Sequence, residues 1–346
     1  MKQIATFLPV LILSISLNVC ASFYVAKYLK NSDKWFETEQ AEQVAKNILT
    51  YQSPGGGFQK NIDTTSKPYR GDPQKLQPTF DNGATVDELR FLARYFKATK
   101  DEMAKDGFLK GFDYIIKAQY PNGGFPQSYP PGNGYPRFIT FNDTAMVRLL
   151  IFLRETTQSQ YYDFLDKERK AKAKTTFDLG IDCILKCQIK VNGKLTAWCA
   201  QHDEKTFEPR GARKFELPSL SGAESADIVL LLMSINNPGQ EIIDSVESAV
   251  EWFESAKIKG IRVIEKEDVK NGKDKVVVND PNAPPIWARF YEIGTNKPIF
   301  ADRNGIKKYS LSEIGYERRN GYAWYGYWPQ KLLTEYPRWE KRINKN

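Results

Sequence analysis

The feature that most limits how this chain can fold is an internal repeat with a period of about 65 residues. Three turn-like segments recur: "YQSPGGGFQKN" from Tyr51, "AQYPNGGFPQSYP" from Ala118 and "CQIKVNGKLTAWC" from Cys187. Their glutamines Gln52, Gln119 and Gln188 are 67 and 69 residues apart. Each turn follows a segment with apolar residues at helical spacing: "AEQVAKNILTY", "FLKGFDYIIKAQ" and "TFDLGIDCILKCQ". After a long polar loop comes a helix start: "FDNGATVDELRFLARYF", "FNDTAMVRLLIFLRE" and "LSGAESADIVLLLMSI". The unit is therefore helix, glycine-bearing turn, loop, helix. Solenoid repeats usually run about 20–50 residues, so helix pairs that close on themselves fit this period better. The expected fold is all-α, an α/α toroid or barrel with long loops gathered at one end, where a cleft can form. A small β-hairpin is expected at "VIEKEDVKNGKDKVVVND", where Asn271-Gly272 is a hairpin signal.

The N-terminus "MKQIATFLPVLILSISLNVCA" combines a lysine, an apolar run and a small residue at its end, as a secretory signal peptide does, with cleavage after Ala21. Val19 is a poor fit to the small residue that lipid modification of Cys20 would prefer. Residues 22–346 are then expected to form a single catalytic domain, secreted or periplasmic and monomeric. No other segment approaches the roughly 18 apolar residues of a membrane span. Removal of residues 1–21 takes away one lysine and no acid, leaving a net charge of +7. The lysines are scattered and no nucleic-acid fold signature is present, so an acidic extracellular polymer is a more economical partner than nucleic acid. Cys183, Cys187 and Cys199 form no CxxC pair and read as small buried residues rather than a metal cluster.

Two of the helix starts carry polar pairs, Asp81-Asn82 and Asn142-Asp143, with the aspartates 62 residues apart. Such pairs can be helix caps. They can also supply carboxylate and amide oxygens to a hard cation such as Ca²⁺, or form the acid/base pair of a glycosidase. The spacing alone does not decide among these. His202 is the chain's single histidine and the usual kind of neutral-pH base.

The segments "GGGFQKN", "TFDNGATVDELRFL", "AQYPNGGFPQSYP", "ITFNDTAMVRLL", "AWCAQHDEKTFEPRGARKFELPSLSGAES", "IWARFYEI" and "GYAWYGYWP" together resemble pectate lyases of polysaccharide-lyase family 10, across about residues 45–330. The resemblance implies an (α/α)3 toroid that cleaves polygalacturonate by Ca²⁺-dependent β-elimination, giving 4,5-unsaturated oligogalacturonides. It implies Arg213 as general base, Arg289 and Arg303 as carboxylate clamps, and Arg210 and Lys60 as further substrate contacts. It places Asp81, Asn82 and Asp143 at calcium and leaves His202 a bystander. Arginine is protonated well above neutral pH, so a nearby cation and other guanidinium groups are expected to lower the pKa of Arg213 by like-charge repulsion. The aromatic run "YAWYGYWP", Tyr322 to Pro329, is expected to plug the core rather than stack on sugar. Two alternatives stay open: a glycoside hydrolase using Asp81 and Asp143, and a non-catalytic uronate-binding protein.

Overall fold

The structure is a computed structural model that describes residues 22–344; the expected signal peptide, residues 1–21, lies outside the described residues. The repeat appears as two layers of helices. The outer layer holds α1 (Glu39–Thr50), α3 (Glu102–Ala118), α5 (Lys167–Cys187) and α7 (Gln240–Ser255). The inner layer holds α2 (Val86–Thr99), α4 (Ala145–Gln158) and α6 (Glu224–Met233). Each inner helix packs on the outer helix that follows it, and neighbours within a layer also touch. This is the all-α (α/α)3 architecture. Composition sorts the layers: α6 buries Ile228, Val229, Leu231 and Leu232, whereas α5 buries one stripe and turns its lysines to solvent.

The three glutamines explain the repeat physically. Gln52 Nε2 donates to the carbonyls of Gly56 and Gly107, at 2.8 and 2.7 Å. Gln119 Nε2 reaches Gly123 and Thr176, and Gln188 Nε2 reaches Thr196 and Ser245. Each amide thus ties its own turn to the backbone of the next outer helix, at the same point in every repeat. Two turn glycines make this approach possible. A Cβ on Gly56 (φ +110°) would sit 2.4 Å from the Lys110 carbonyl oxygen, and one on Gly123 (φ +90°) 1.9 Å from that of Leu179.

The hairpin forms as expected, with strands β1 (Ile261–Asp268) and β2 (Gly272–Asn279) antiparallel. The structure adds paired two-residue strands among the loops. Ile139–Thr140 pairs with Gln201–His202, which pairs with Pro209–Arg210. Leu220–Ser221 pairs with Phe290–Tyr291, and Trp287–Ala288 with Tyr325–Gly326. These pairings bring segments from distant parts of the chain to one end of the helical layers, over a small second core that includes Phe215, Phe290, Phe300 and Trp324. Cys183, Cys187 and Cys199 are buried free thiols. Among the described residues, no helix is long and apolar enough to cross a membrane.

Candidate active site

The starts of α2 and α4 enter through matching turns, Asp81–Gly83 and Asn142–Thr144, which touch one another. Their conformations align Phe80 with Phe141, so the register is 61 residues and Asp143 corresponds to Asn82 rather than to Asp81. Asn82 and Asp143 share a left-handed backbone, with φ +54° and +49°. Thr144 follows at φ +63°, a strained conformation for a β-branched residue and of a kind that gathers at functional sites. Asn82 and Asp143 line a cavity of 240 Å³ together with Glu224, Asp227, Arg289 and Trp328.

Asp81 lies behind this wall. Its Oδ2 accepts from Lys60 Nζ and from Gln127 Nε2 at 2.8 Å, while its buried Oδ1 has no partner. Asp143 accepts from Asn142 Nδ2 at 2.8 Å and from Arg289 Nη2 at 3.2 Å. Neither carboxylate caps a helix: α2 and α4 begin after Thr85 and Thr144.

Glu224 is a site residue that the sequence reading passed over. It opens α6, is buried, and takes hydrogen bonds from Ser221 Oγ and Arg289 Nη2. Its place as an acid opening the third inner helix, close after the segment that corresponds to the turns of Asn82 and Asp143, is the signal that could have found it. Arg289 therefore bridges two of the repeats, reaching Asn142 Oδ1 as well at 3.3 Å. Burial pulls its pKa down, but Glu224, then Tyr322 and Asp143, more than reverse this and hold it above the ordinary range. Asp227, one turn along α6, is raised to about 6 by burial and then by the charge of Glu224. Among the described residues no three acidic, histidine or cysteine side chains already converge as a metal site. The donor chemistry nevertheless suits a hard cation: carboxylate and amide oxygens surround the cavity, and a buried carboxylate oxygen of Asp81 lacks a partner.

Arg213 lies against the same Tyr322 ring as Arg289. Its Nη2 and Nε donate to Glu216 Oε1 and Oε2 at 2.5 and 2.8 Å, and the Tyr322 hydroxyl donates to the same Oε1 at 2.7 Å. The fork with Glu216 raises the pKa of Arg213, opposite in sign to the lowering expected from a nearby cation and other guanidinium groups. Negative charge beside this guanidinium outweighs burial. Arg303 is exposed, pairs with Glu317, and lies 5.7 Å from the Phe215 ring, which Arg213 also approaches, at 4.8 Å. Arg210 is held by Asp203 at 3.0 Å, and Lys60 by Asp81.

His202 is fully buried. Cys199 N–H donates to its Nε2 at 3.0 Å and its Nδ1 donates to the Phe207 carbonyl at 2.7 Å. Burial drops its pKa to about 4, so the ring is neutral, enclosed and fully bonded. The segment Tyr322 to Pro329 divides its roles. Trp324 packs in the second core as expected, but Tyr322 contacts the two arginines and Trp328 lines the cavity. The core-plug expectation holds for only part of the run, because Tyr322 reaches Glu216 and the arginines from the edge of that core and Trp328 lies past the short strand at the cavity wall.

The family model for pectic acid lyase matches residues 52–333. A structure of family 10 polysaccharide lyase from Cellvibrio cellulosa is similar at 33% identity and a TM-score of 0.78, covering 91% of this chain and 95% of that one. An aspartate-to-alanine mutant of that lyase, in complex with trigalacturonic acid, matches at 33% identity and a TM-score of 0.78, covering 91% and 96%. No protein of curated function matches the sequence.

Proposed function

Given that the chain belongs to the pectic acid lyase family and is a polysaccharide lyase, we propose that it cleaves polygalacturonate by Ca²⁺-assisted β-elimination, as a secreted or periplasmic monomer. The observation that carries this reading is the convergence of Asn82, Asp143, Glu224 and Arg289 on one cavity, with Arg213 against the Tyr322 ring that Arg289 also contacts. The likeness to a lyase that was captured with trigalacturonic acid supports the substrate class.

The C5 proton of a galacturonate lies α to an anionic carboxylate and is only weakly acidic. Elimination removes it, turns its electron pair into the C4=C5 double bond, and breaks the C4–O bond to the neighbouring sugar, whose oxygen takes a proton from water. Asp81, Asn82, Asp143 and Glu224 would hold Ca²⁺, which when bound withdraws charge from the carboxylate and makes that proton more acidic. Arg289 and Arg303 present planar forks that match a uronate carboxylate; Arg210 and Lys60 extend the contacts. Arg213 accepts the C5 proton only after it leaves the Glu216 fork, because in that fork its charge is favoured. Substrate that draws the guanidinium toward Arg289 and Arg303 exposes it to like charge instead.

Product chemistry tests the reading. Elimination yields one unsaturated end per cleavage, absorbing in the ultraviolet. Saturated ends with a molecule of water added would mean hydrolysis, and the absence of any turnover with retained binding would mean a uronate-binding protein.

A further inference from the structure

A second groove, of 660 Å³, borders the site along segments 59–61, 76–79 and 127–136. It is joined to the site at two points. Lys60 and Gln127, which line it, both donate to Asp81. Tyr135, also on its wall, lies near enough to Arg213 to bear on that guanidinium's charge. A polymer seated at the arginines can therefore continue into this groove.

The two regions differ in charge. Around the site stand three guanidinium groups, those of Arg213, Arg289 and Arg303, each with a carboxylate partner and two of them against one tyrosine ring. Of the side chains that line the groove, Lys60 alone is charged, and the buried carboxylate of Asp81 already pairs with it. The rest of the wall is uncharged: amides such as Gln59 and Gln77, the hydroxyl of Ser128, and apolar surface from Leu76 and Pro136. A free uronate there would lose water and meet one lysine shared with Asp81 in place of several guanidinium groups, which is unfavourable. A methyl ester removes the charge, keeps a carbonyl that amide N–H groups can reach, and adds a methyl group that leucine and proline can cover.

We infer that this groove binds uncharged, methyl-esterified galacturonate residues of the same chain whose free-acid residue is held at the arginines. The inference rests on the polygalacturonate reading and adds a preference for partially esterified pectin.

Initial rates on polygalacturonate and on a randomly, partially methyl-esterified pectin test it. The wild-type protein should show kcat/KM on the esterified polymer at least equal to that on the free acid. Gln77→Lys places a cation on the groove wall and should shift the ratio toward the free acid about fivefold, the effect of roughly 1 kcal/mol. A wild-type rate that falls in step with ester content, with the ratio unmoved in Gln77→Lys, overturns the inference. Binding separates its failure from that of the lyase reading. Fully methyl-esterified trigalacturonate should bind by calorimetry and lose at least tenfold in affinity in Gly132→Trp. A Cβ at Gly132 meets nothing within 4 Å, so the new ring has room to fill the groove. Equal affinity in that variant also overturns the inference, whether or not either polymer is cleaved.

Discussion

Arg213 and Arg289 lie against the same ring: their guanidinium carbons are 5.7 and 4.9 Å from the centroid of Tyr322. Arg213 is forked to Glu216, in a loop, and Arg289 is bonded through Nη2 to Glu224, at the start of α6, so one ring contacts two cations whose carboxylates come from different parts of the chain. Each such contact contributes about 0.5–2 kcal/mol, more when water is excluded. Tyr322→Ala should therefore raise KM for polygalacturonate about tenfold or more. Tyr322→Phe keeps the ring and should retain most of the binding. Equal KM values in the two variants and the wild type would detach the ring from substrate binding.

The Arg213–Glu216 fork sets a pH expectation. Because Glu216 raises the pKa of Arg213, removing its charge should lower it. In Glu216→Gln, the rise of kcat/KM on the alkaline side should begin at lower pH than in the wild type. Arg213→Lys and Arg213→Ala should lose about 10²-fold or more in kcat, the low end of what loss of a general base costs. Substrate binding should survive through Arg289. An unmoved pH profile in Glu216→Gln would leave Arg213 as a clamp rather than a base.

Glu224 offers a test of the cation reading that is independent of the aspartates. Glu224→Ala and Asp143→Ala should each raise the calcium concentration needed for half-maximal activity by about tenfold or more. Asp81→Ala should do the same and also release Lys60 and Gln127, which its Oδ2 now holds. Calcium dependence at the wild-type level in all three variants would reduce these acids to structural partners of Arg289 and Lys60.

His202 carries a stability prediction. Its pKa is about 4 in the folded state against 6.5 for an exposed histidine, with burial as the main cause. The unfolded chain therefore takes up a proton at higher pH than the folded one. The contribution of His202 is fully present above pH 6.5 and is lost as pH falls toward 4, by about 3 kcal/mol. Urea unfolding should show this decline in the wild type and a shallower one in His202→Gln, whose turnover at neutral pH should change little. A large loss of kcat in a folded His202→Gln protein would return the base assignment to the histidine.

The sequence carries the helix pairs openly because the glutamine staples recur at nearly constant spacing and each inner helix begins with a polar, helix-starting segment. It also carries the arginines, through the family resemblance. It hides the partners. Glu216 meets Tyr322 across 106 residues, and Arg289 meets Asp143 across 146, through two-residue strand pairs that leave no periodic pattern. The true register of the helix starts is hidden for a similar reason. Asp81 and Asp143 are the same residue type, yet the left-handed turn pairs Asp143 with Asn82 and turns Asp81 inward. Conformation, not residue identity, sets the correspondence between the two turns.

The central claim is that Ca²⁺ and these oxygens make the C5 proton removable. Ultraviolet absorbance of unsaturated ends, followed with polygalacturonate as chelator is added and Ca²⁺ then restored, tests it most directly. Loss of the signal in chelator and its full return with Ca²⁺ is the predicted result. Undiminished production of unsaturated ends in excess chelator would contradict it.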